Sequence, residues 1–188
     1  MGLLDLLMGK WHAAGIKVNK CSFLDAMGWN MPHTVRETLL AIKERYPEIT
    51  DFHMHLHDSR GATLASYYEA LQLGVTEFDT SIGGMGGCPY CGNGRATEDF
   101  VNLCHELGIE TGYNLDKLIE AAAVAEEVVG HSLWGHVSKA GALPRGERLY
   151  PTNMPFVETL EEAAHFRKGP SVYEGQLSPW KEGDALSR

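Results

Sequence analysis

The sequence predicts an α/β fold organised around parallel strands. Three observations carry this. Residues 16–25, 49–58 and 75–82 have strand-like patterns, and each is followed, after a loop, by a helix-like stretch. A strand, a helix and a second strand in succession join parallel neighbours through a right-handed crossover. The third observation is placement. Asp25, His55, His57 and a glycine-rich loop from Gly83 to Gly94 all fall at or just past the C-terminal ends of the predicted strands, where such folds carry their chemistry.

Residues 3–14 form a helix with Leu3, Leu4, Leu6, Leu7 and Trp11 on one side. IKVNKCSFLD, 16–25, is the first strand. MPHTVRETLLAIKERY, 31–46, is a helix with Pro32 near its start, and it stops at Tyr46 because Pro47 disfavours helical backbone before it. ITDFHMHLHD, 49–58, alternates with period two and is the second strand. ATLASYYEALQLG, 62–74, is a helix closed by Gly74. VTEFDTSIGG is a strand running into the glycine loop. TEDFVNLCHELG, 97–108, is a helix with Thr97 as cap and Gly108 as stop, and NLDKLIEAAAVAEEVVG, 114–130, is a helix capped by Asn114. Beyond Gly130 regularity fades. Pro144, Pro151, Pro155, Pro170 and Pro179 punctuate a tail with one short helical stretch, VETLEEAAHFRK.

The 188 residues suit one ordinary domain, and the net charge of −9 with no Lys/Arg run argues against nucleic acid and anionic membranes as partners. The apolar stretches, such as 118–129, are interrupted by charge and too short to span a bilayer. MGLLDLLMGKWHAAG lacks the basic start of a secretory signal. The four cysteines include one CxxC, Cys88 to Cys91, with no second pair to complete a zinc site. Free thiols in a cytosolic setting are expected, with a Cys88–Cys91 pair under oxidation as the exception.

On a strand, residues 53, 55 and 57 point to one face. Two imidazoles spaced i, i+2 can share one metal ion through nitrogens about 2 Å away; the competing reading is a polar interior of hydrogen-bonded histidines. A site that mixes histidine with Asp or Asn oxygens suits Mg²⁺ or Mn²⁺ better than zinc. Asp25 is either a further oxygen ligand or a loop cap. The stretch SIGGMGGCPYCGNGRATED has six glycines between 83 and 94, which permit unusual backbone and close approach of a ligand. It matches neither GxxxxGK[ST] nor a GxGxxG opening a helix. It reads as a mobile lid that carries Cys88 over the histidines, although a small buried thiol is the plainer role for Cys88.

With these residues in place, the chain resembles the 3-hydroxy-3-methylglutaryl-CoA lyase group of the DRE-TIM metallolyases. HLHDSRG, FDTSIGGMGGCPY, GNGRATEDFVNLCHELGIETGYNLDKLIEAA and the weaker CSFLDAMGWNMP carry the resemblance over residues 16–130. It implies a partial TIM (β/α)8 barrel corresponding to strands six to eight, with a C-terminal helical region and an irregular arm. The expected division is a barrel-like part, 1–130, and an extension, 131–188, packing on the barrel or on a partner. By resemblance the metal ligands are His55, His57 and Asn93, and His53 is then extra. Cys88 is the catalytic cysteine, Asp25 the acid at the end of the preceding strand, and Asp58 an orienting residue behind a ligand. Gly86, Gly87 and Arg95 are candidate substrate contacts. The family's Asp-Thr reads Asp25-Ala26, the loop between CPY and ATED is shorter, and nothing matches the first five strands.

The activity implied is divalent-metal-dependent cleavage of a carbon–carbon bond in a hydroxy acid or 3-hydroxy-acyl-CoA. Three parallel strands leave two edges and cannot close a barrel. The remaining strands are expected from a complementary N-terminal-half chain, a homo-oligomer or a longer gene product. A Claisen-type synthase of the same superfamily and a non-catalytic structural subunit are the alternatives. In the C-terminal region His136, Lys139 and Arg145 read either as phosphate contacts or as packing residues.

Overall fold

The computed structural model describes residues 2–87 and 92–142. The chain divides into two compact units, with the boundary between Ala96 and Thr97. In the first unit the elements are α1 (Gly2–Ala13), β1 (Lys20–Asp25), α2 (Pro32–Arg45), β2 (Asp51–Leu56), α3 (Thr63–Gln72) and β3 (Glu77–Phe78), followed by a 3-10 turn at Ile82–Gly84. The strands form one sheet in the order β1-β2-β3, and both pairings are parallel, as the alternation of strands and helices predicts.

The register places Ser22 opposite His53, Leu24 opposite His55 and Asp25 opposite Leu56. Two faces follow. Phe52, Met54 and Leu56 are buried, together with Val35, Leu39 and Ile42 of α2 and Tyr67 and Ala70 of α3. Lys43 of α2 lies over the Phe52 ring, and the Tyr67 and Phe78 rings meet edge to face at 5.0 Å. Each fully buried apolar side chain of this kind contributes roughly 1.5–3 kcal/mol. The other face carries Ser22, Leu24, His53, His55 and Glu77, and Leu24 there is 72% exposed.

Local chemistry sets the helix ends. The Thr34 hydroxyl accepts the Met31 N–H and donates to the Met31 carbonyl, closing the start of α2 beside Pro32. Gly74, past the end of α3, has φ +82°, a conformation that strains other residues. β3 is shorter than the 75–82 expected. The Val75 N–H bonds to Ala70 at the end of α3, and Ser81 pairs with Ala96 rather than with β2. β1 likewise begins at Lys20, because the Asn19 carbonyl accepts from both Thr50 and Asp51.

The second unit begins with α4 (Thr97–Glu106), α5 (Leu115–Val129) and α6 (Val137–Ala140). Asn114 caps α5 by accepting the Lys117 N–H, and Gly130 ends it in the left-handed region. Residues 131–140 are tied to α4 and α5: Asp99 accepts from the backbone of His136 and Val137, and Glu126 accepts from Ser132, Leu133 and Lys139. The described part of the expected extension thus packs with α4 and α5. His136 and Lys139 have packing partners in Asp99 and Glu126. Arg145, the arm and VETLEEAAHFRK lie outside the described residues. No described helix is long and apolar enough to cross a membrane.

Candidate metal and substrate site

The site lies at the C-terminal ends of β2 and β3, inside the first unit. The alternation of DFHMHL puts His55 on the open face. His57 follows the strand, and its N–H bonds to the Asp25 carbonyl at 3.0 Å. The two rings are 5.5 Å apart, centre to centre, and tilted by 53°. His55 Nδ1 lies 2.7 Å from Asp79 Oδ2, and His57 Nδ1 lies 3.1 Å from the Gly92 carbonyl oxygen. A carbonyl and a carboxylate can only accept, so both rings carry their proton on Nδ1. Both Nε2 atoms then present lone pairs, and neither has a hydrogen-bond partner among the described residues.

Asp79 lies inside the FDTSIGGMGGCPY stretch, but the sequence pattern assigned it no role. It lies one residue past β3, and its other oxygen lies 2.9 Å from His53 Nε2, within ion-pair range. The hydrogen bonds from His55 and His53 outweigh partial burial and hold its carboxyl below the usual range. Parity was the available signal: Phe78 faces the core, so Asp79 must share the face of His53 and His55.

A cavity of about 170 Å³ opens beside these groups, lined by His55, His57, Asp79, Gly86, Gly87 and Arg95 among others. It is smaller than the ~300–1,000 Å³ of a site that engulfs a whole drug-sized ligand, and it has room for a short acyl group.

The structure arranges the other expected residues differently. Arg95 lines the cavity, but its residue is only 4% exposed and its Nη1 lies 2.7 Å from Asp58 Oδ2. Its charge is already met by Asp58, so it acts as a strut. Asp58 does not reach a histidine ring; its Oδ1 accepts the Thr63 N–H at the start of α3 at 3.0 Å. Asp25 is also turned away from the cavity. It shares the parity of Leu56, and its Oδ2 accepts the Asn30 N–H at 2.7 Å. Burial opposes its ionisation, but backbone N–H groups of Asn30, Trp29 and Met27 outweigh this and hold the carboxyl below the usual range. The Asn93 carbonyl accepts the Asp58 N–H at 2.7 Å, and Asn93 is not among the cavity's lining residues. Cys88 and Cys91 lie outside the described residues.

Ser59 locks three loops around this mouth. Its hydroxyl accepts the Gly92 N–H at 2.8 Å. A Cβ on Gly28 would come within 2.9 Å of Ser59 and the His57 carbonyl, and one on Gly92 within 2.6 Å of Ser59 Cα. Only glycine permits that approach.

Comparison with known proteins bears on this arrangement. The family model described as HMGL-like matches residues 8–125. The chain belongs to the HMGL-like family. A hydroxymethylglutaryl-CoA lyase of Bacillus subtilis is 41% identical over 120 residues, covering 62% of this chain and 40% of the relative. An (R)-citramalyl-CoA lyase of Chloroflexus aurantiacus is 36% identical over 134 residues, covering 69% of this chain and 42% of the relative. An HMG-CoA lyase of Acinetobacter baumannii, solved with coenzyme A and 3-methylmalate, superposes with a TM-score of 0.63 at 29% identity, over 78% of this chain and 48% of that one. This HMGL-like chain thus spans about three tenths to two fifths of the length of the curated relatives it matches.

Two imidazoles with their Nδ1–H groups on a carboxylate and a carbonyl are the usual preparation for metal ligation. The donor set fits a divalent cation, although no described group of three or more His, Cys, Asp or Glu side chains forms a complete site.

Proposed function

We propose that this HMGL-like chain forms the strands six-to-eight portion of a TIM-barrel lyase. The enzyme would cleave a carbon–carbon bond of a 3-hydroxy-acyl-CoA such as 3-hydroxy-3-methylglutaryl-CoA, in the cytosol, with Mg²⁺ or Mn²⁺. The observation that carries this is the pair of bare Nε2 atoms at His55 and His57. Support comes from the hydroxymethylglutaryl-CoA and citramalyl-CoA lyases among its relatives.

His55 and His57 would hold the cation, with Asn93 as a third donor. When bound, the cation supplies Lewis acidity that lowers the pKa of the substrate hydroxyl. Gly86 and Gly87, at φ +107° and +119°, let the acyl group approach the backbone. Arg95 and Asp58 keep the cavity wall rigid. Asp25, ionised and held by its own loop, is a weak base and a good anchor for the β1 end. A general base, not assigned among the described residues, would take the hydroxyl proton as the C2–C3 bond breaks, giving a carbonyl compound and a thioester enolate. The Cys88 thiol then protonates the enolate carbon.

The open face, with Leu24 exposed and the β1 edge unpaired among the described residues, supports a complementary N-terminal-half chain, or further copies of this one, as partner. Co-purification from the native source, with mass spectrometry, metal analysis and an acyl-CoA cleavage assay, tests the proposal. Retained Mg²⁺ or Mn²⁺ and cleavage that is lost in His57→Ala are expected. A metal-free preparation without activity would instead favour a non-catalytic subunit.

A further inference from the structure

Four polar side chains form one chain of close polar contacts across the open face. Ser22 Oγ lies 3.1 Å from His53 Nδ1, His53 Nε2 lies 2.9 Å from Asp79 Oδ1, and Asp79 Oδ2 lies 2.7 Å from His55 Nδ1. The carboxylate only accepts, so both rings direct an N–H at Asp79. His53 is then left with a lone pair on Nδ1, which the Ser22 hydroxyl fills. The neighbouring imidazoles are therefore opposite tautomers: His53 carries its proton on Nε2 and His55 on Nδ1. Both nitrogens of His53 are occupied, whereas His55 keeps a bare Nε2.

The Asp79 side chain is 54% exposed. A carboxylate in that setting, held through one oxygen, would rotate and compete for water. Bonds to both oxygens, from rings two residues apart on one strand, fix its plane. Ser22, opposite His53 in the register, fixes His53 in turn.

We propose that Ser22, His53 and Asp79 are positioning residues that set the tautomer and ring orientation of His55, so that the HxHxH run supplies one brace and two ligands rather than three ligands. This rests on the reading of His55 and His57 as cation ligands.

Two measurements on the full chain test it. Long-range ¹H–¹⁵N NMR at a pH where the rings are neutral reads each tautomer. His55 is expected as Nδ1–H and His53 as Nε2–H, and His55 should lose its single tautomer in Asp79→Ala. Electron paramagnetic resonance of free Mn²⁺ reads affinity. Asp79→Ala should weaken binding about 10–100-fold, the usual cost of removing a residue behind a metal ligand. His53→Val should weaken it less, and His53→Gln, which can still donate to Asp79 and accept from Ser22, should restore most of the loss. A His55 ring protonated on Nε2 in the parent, or an unchanged tautomer in Asp79→Ala, overturns the proposal. If Mn²⁺ binds equally to the parent, Asp79→Ala and His53→Val, the positioning role fails and the cation site stands. If the parent binds no Mn²⁺, the cation reading fails and the tautomer spectra alone decide the positioning role.

Discussion

On one face of β2, Phe52, Met54 and Leu56 keep at most 4% of their surface; on the other, His53 and His55 stay partly open to solvent. The buried side is held by apolar contact with α2 and α3. The open side has almost no apolar contact, and its groups satisfy one another: Ser22 with His53, His53 and His55 with Asp79, Lys20 with Glu77. Stability and chemistry are thus separated by the two-residue period of a single strand. A change on the first face should be felt in unfolding, and a change on the second in ligand binding.

The largest expected effect tests the buried face. Met54 is fully buried, and Met54→Ala removes its contacts and leaves a cavity. A loss of about 2–5 kcal/mol is expected in urea unfolding, with the His55 and His57 tautomers unchanged in whatever fraction stays folded. A loss under about 1 kcal/mol would mean that the helices hold the sheet less tightly than the burial implies.

Tyr67 ties the buried face to the backbone at the ends of β2 and β3. Its ring is buried on the α3 side, while its hydroxyl accepts the Leu56 N–H at 3.2 Å and donates to the Asp79 carbonyl at 2.7 Å. Tyr67→Phe leaves those backbone groups short of a partner and should cost roughly 1–3 kcal/mol. Burial pushes the Tyr67 hydroxyl up to about 12. A group whose pKa is raised on folding contributes fully below its unfolded value, near 10, and loses that contribution as pH rises toward about 12. The parent should therefore lose stability over that window, and the Phe variant should lose less. Parallel alkaline limbs would show that the hydroxyl is not confined as described.

Much of this division was legible in the residues. The alternation of 49–58 gave β2 and both of its faces, and Pro47, Gly74 and Gly130 marked where helices stop. The histidine pair stood out because i, i+2 spacing on a strand has one geometric meaning. Asp79 was less visible, because it sits alone in FDT and matters only once β3 is placed in parallel beside β2. The orientation of Asp25 depended on the register with Leu56, which no local pattern encodes. The Asp58–Arg95 pair joins residues 37 positions apart, and a sequence shows both charges without showing that they meet.

Asp25 sharpens the comparison from the buried side. Its carboxyl is held below the usual range, so its contribution is present above the unfolded value of 3.8 and disappears as pH falls through the lower folded value. Asp25→Asn keeps an acceptor for the Asn30 N–H but loses the charge. A cost on the order of 1 kcal/mol at neutral pH is expected, with a flatter acid limb in unfolding measured from neutral pH down to 2. An acid limb identical to the parent's would show that the Asp25 carboxyl does not close its own loop.

The smallest effect lies on the open face, at Lys20. Its ion pair with Glu77 spans the sheet over β2, and both side chains are about half exposed. Such pairs contribute about 0–1 kcal/mol in water, so Lys20→Met should leave the unfolding midpoint of the isolated chain almost unchanged. The same substitution measured in a complex gives a different kind of information. If strands from a partner cover this face, Lys20 and Glu77 leave water, and removing one partner strands the other charge in a poorer environment. The cost then rises to several kcal/mol and appears as weaker association rather than as a lower unfolding midpoint. An equal, small effect in both states would mean that the face of Lys20, His53 and His55 stays open to solvent in the assembled protein. Leu24 would then be exposed for some reason other than a partner.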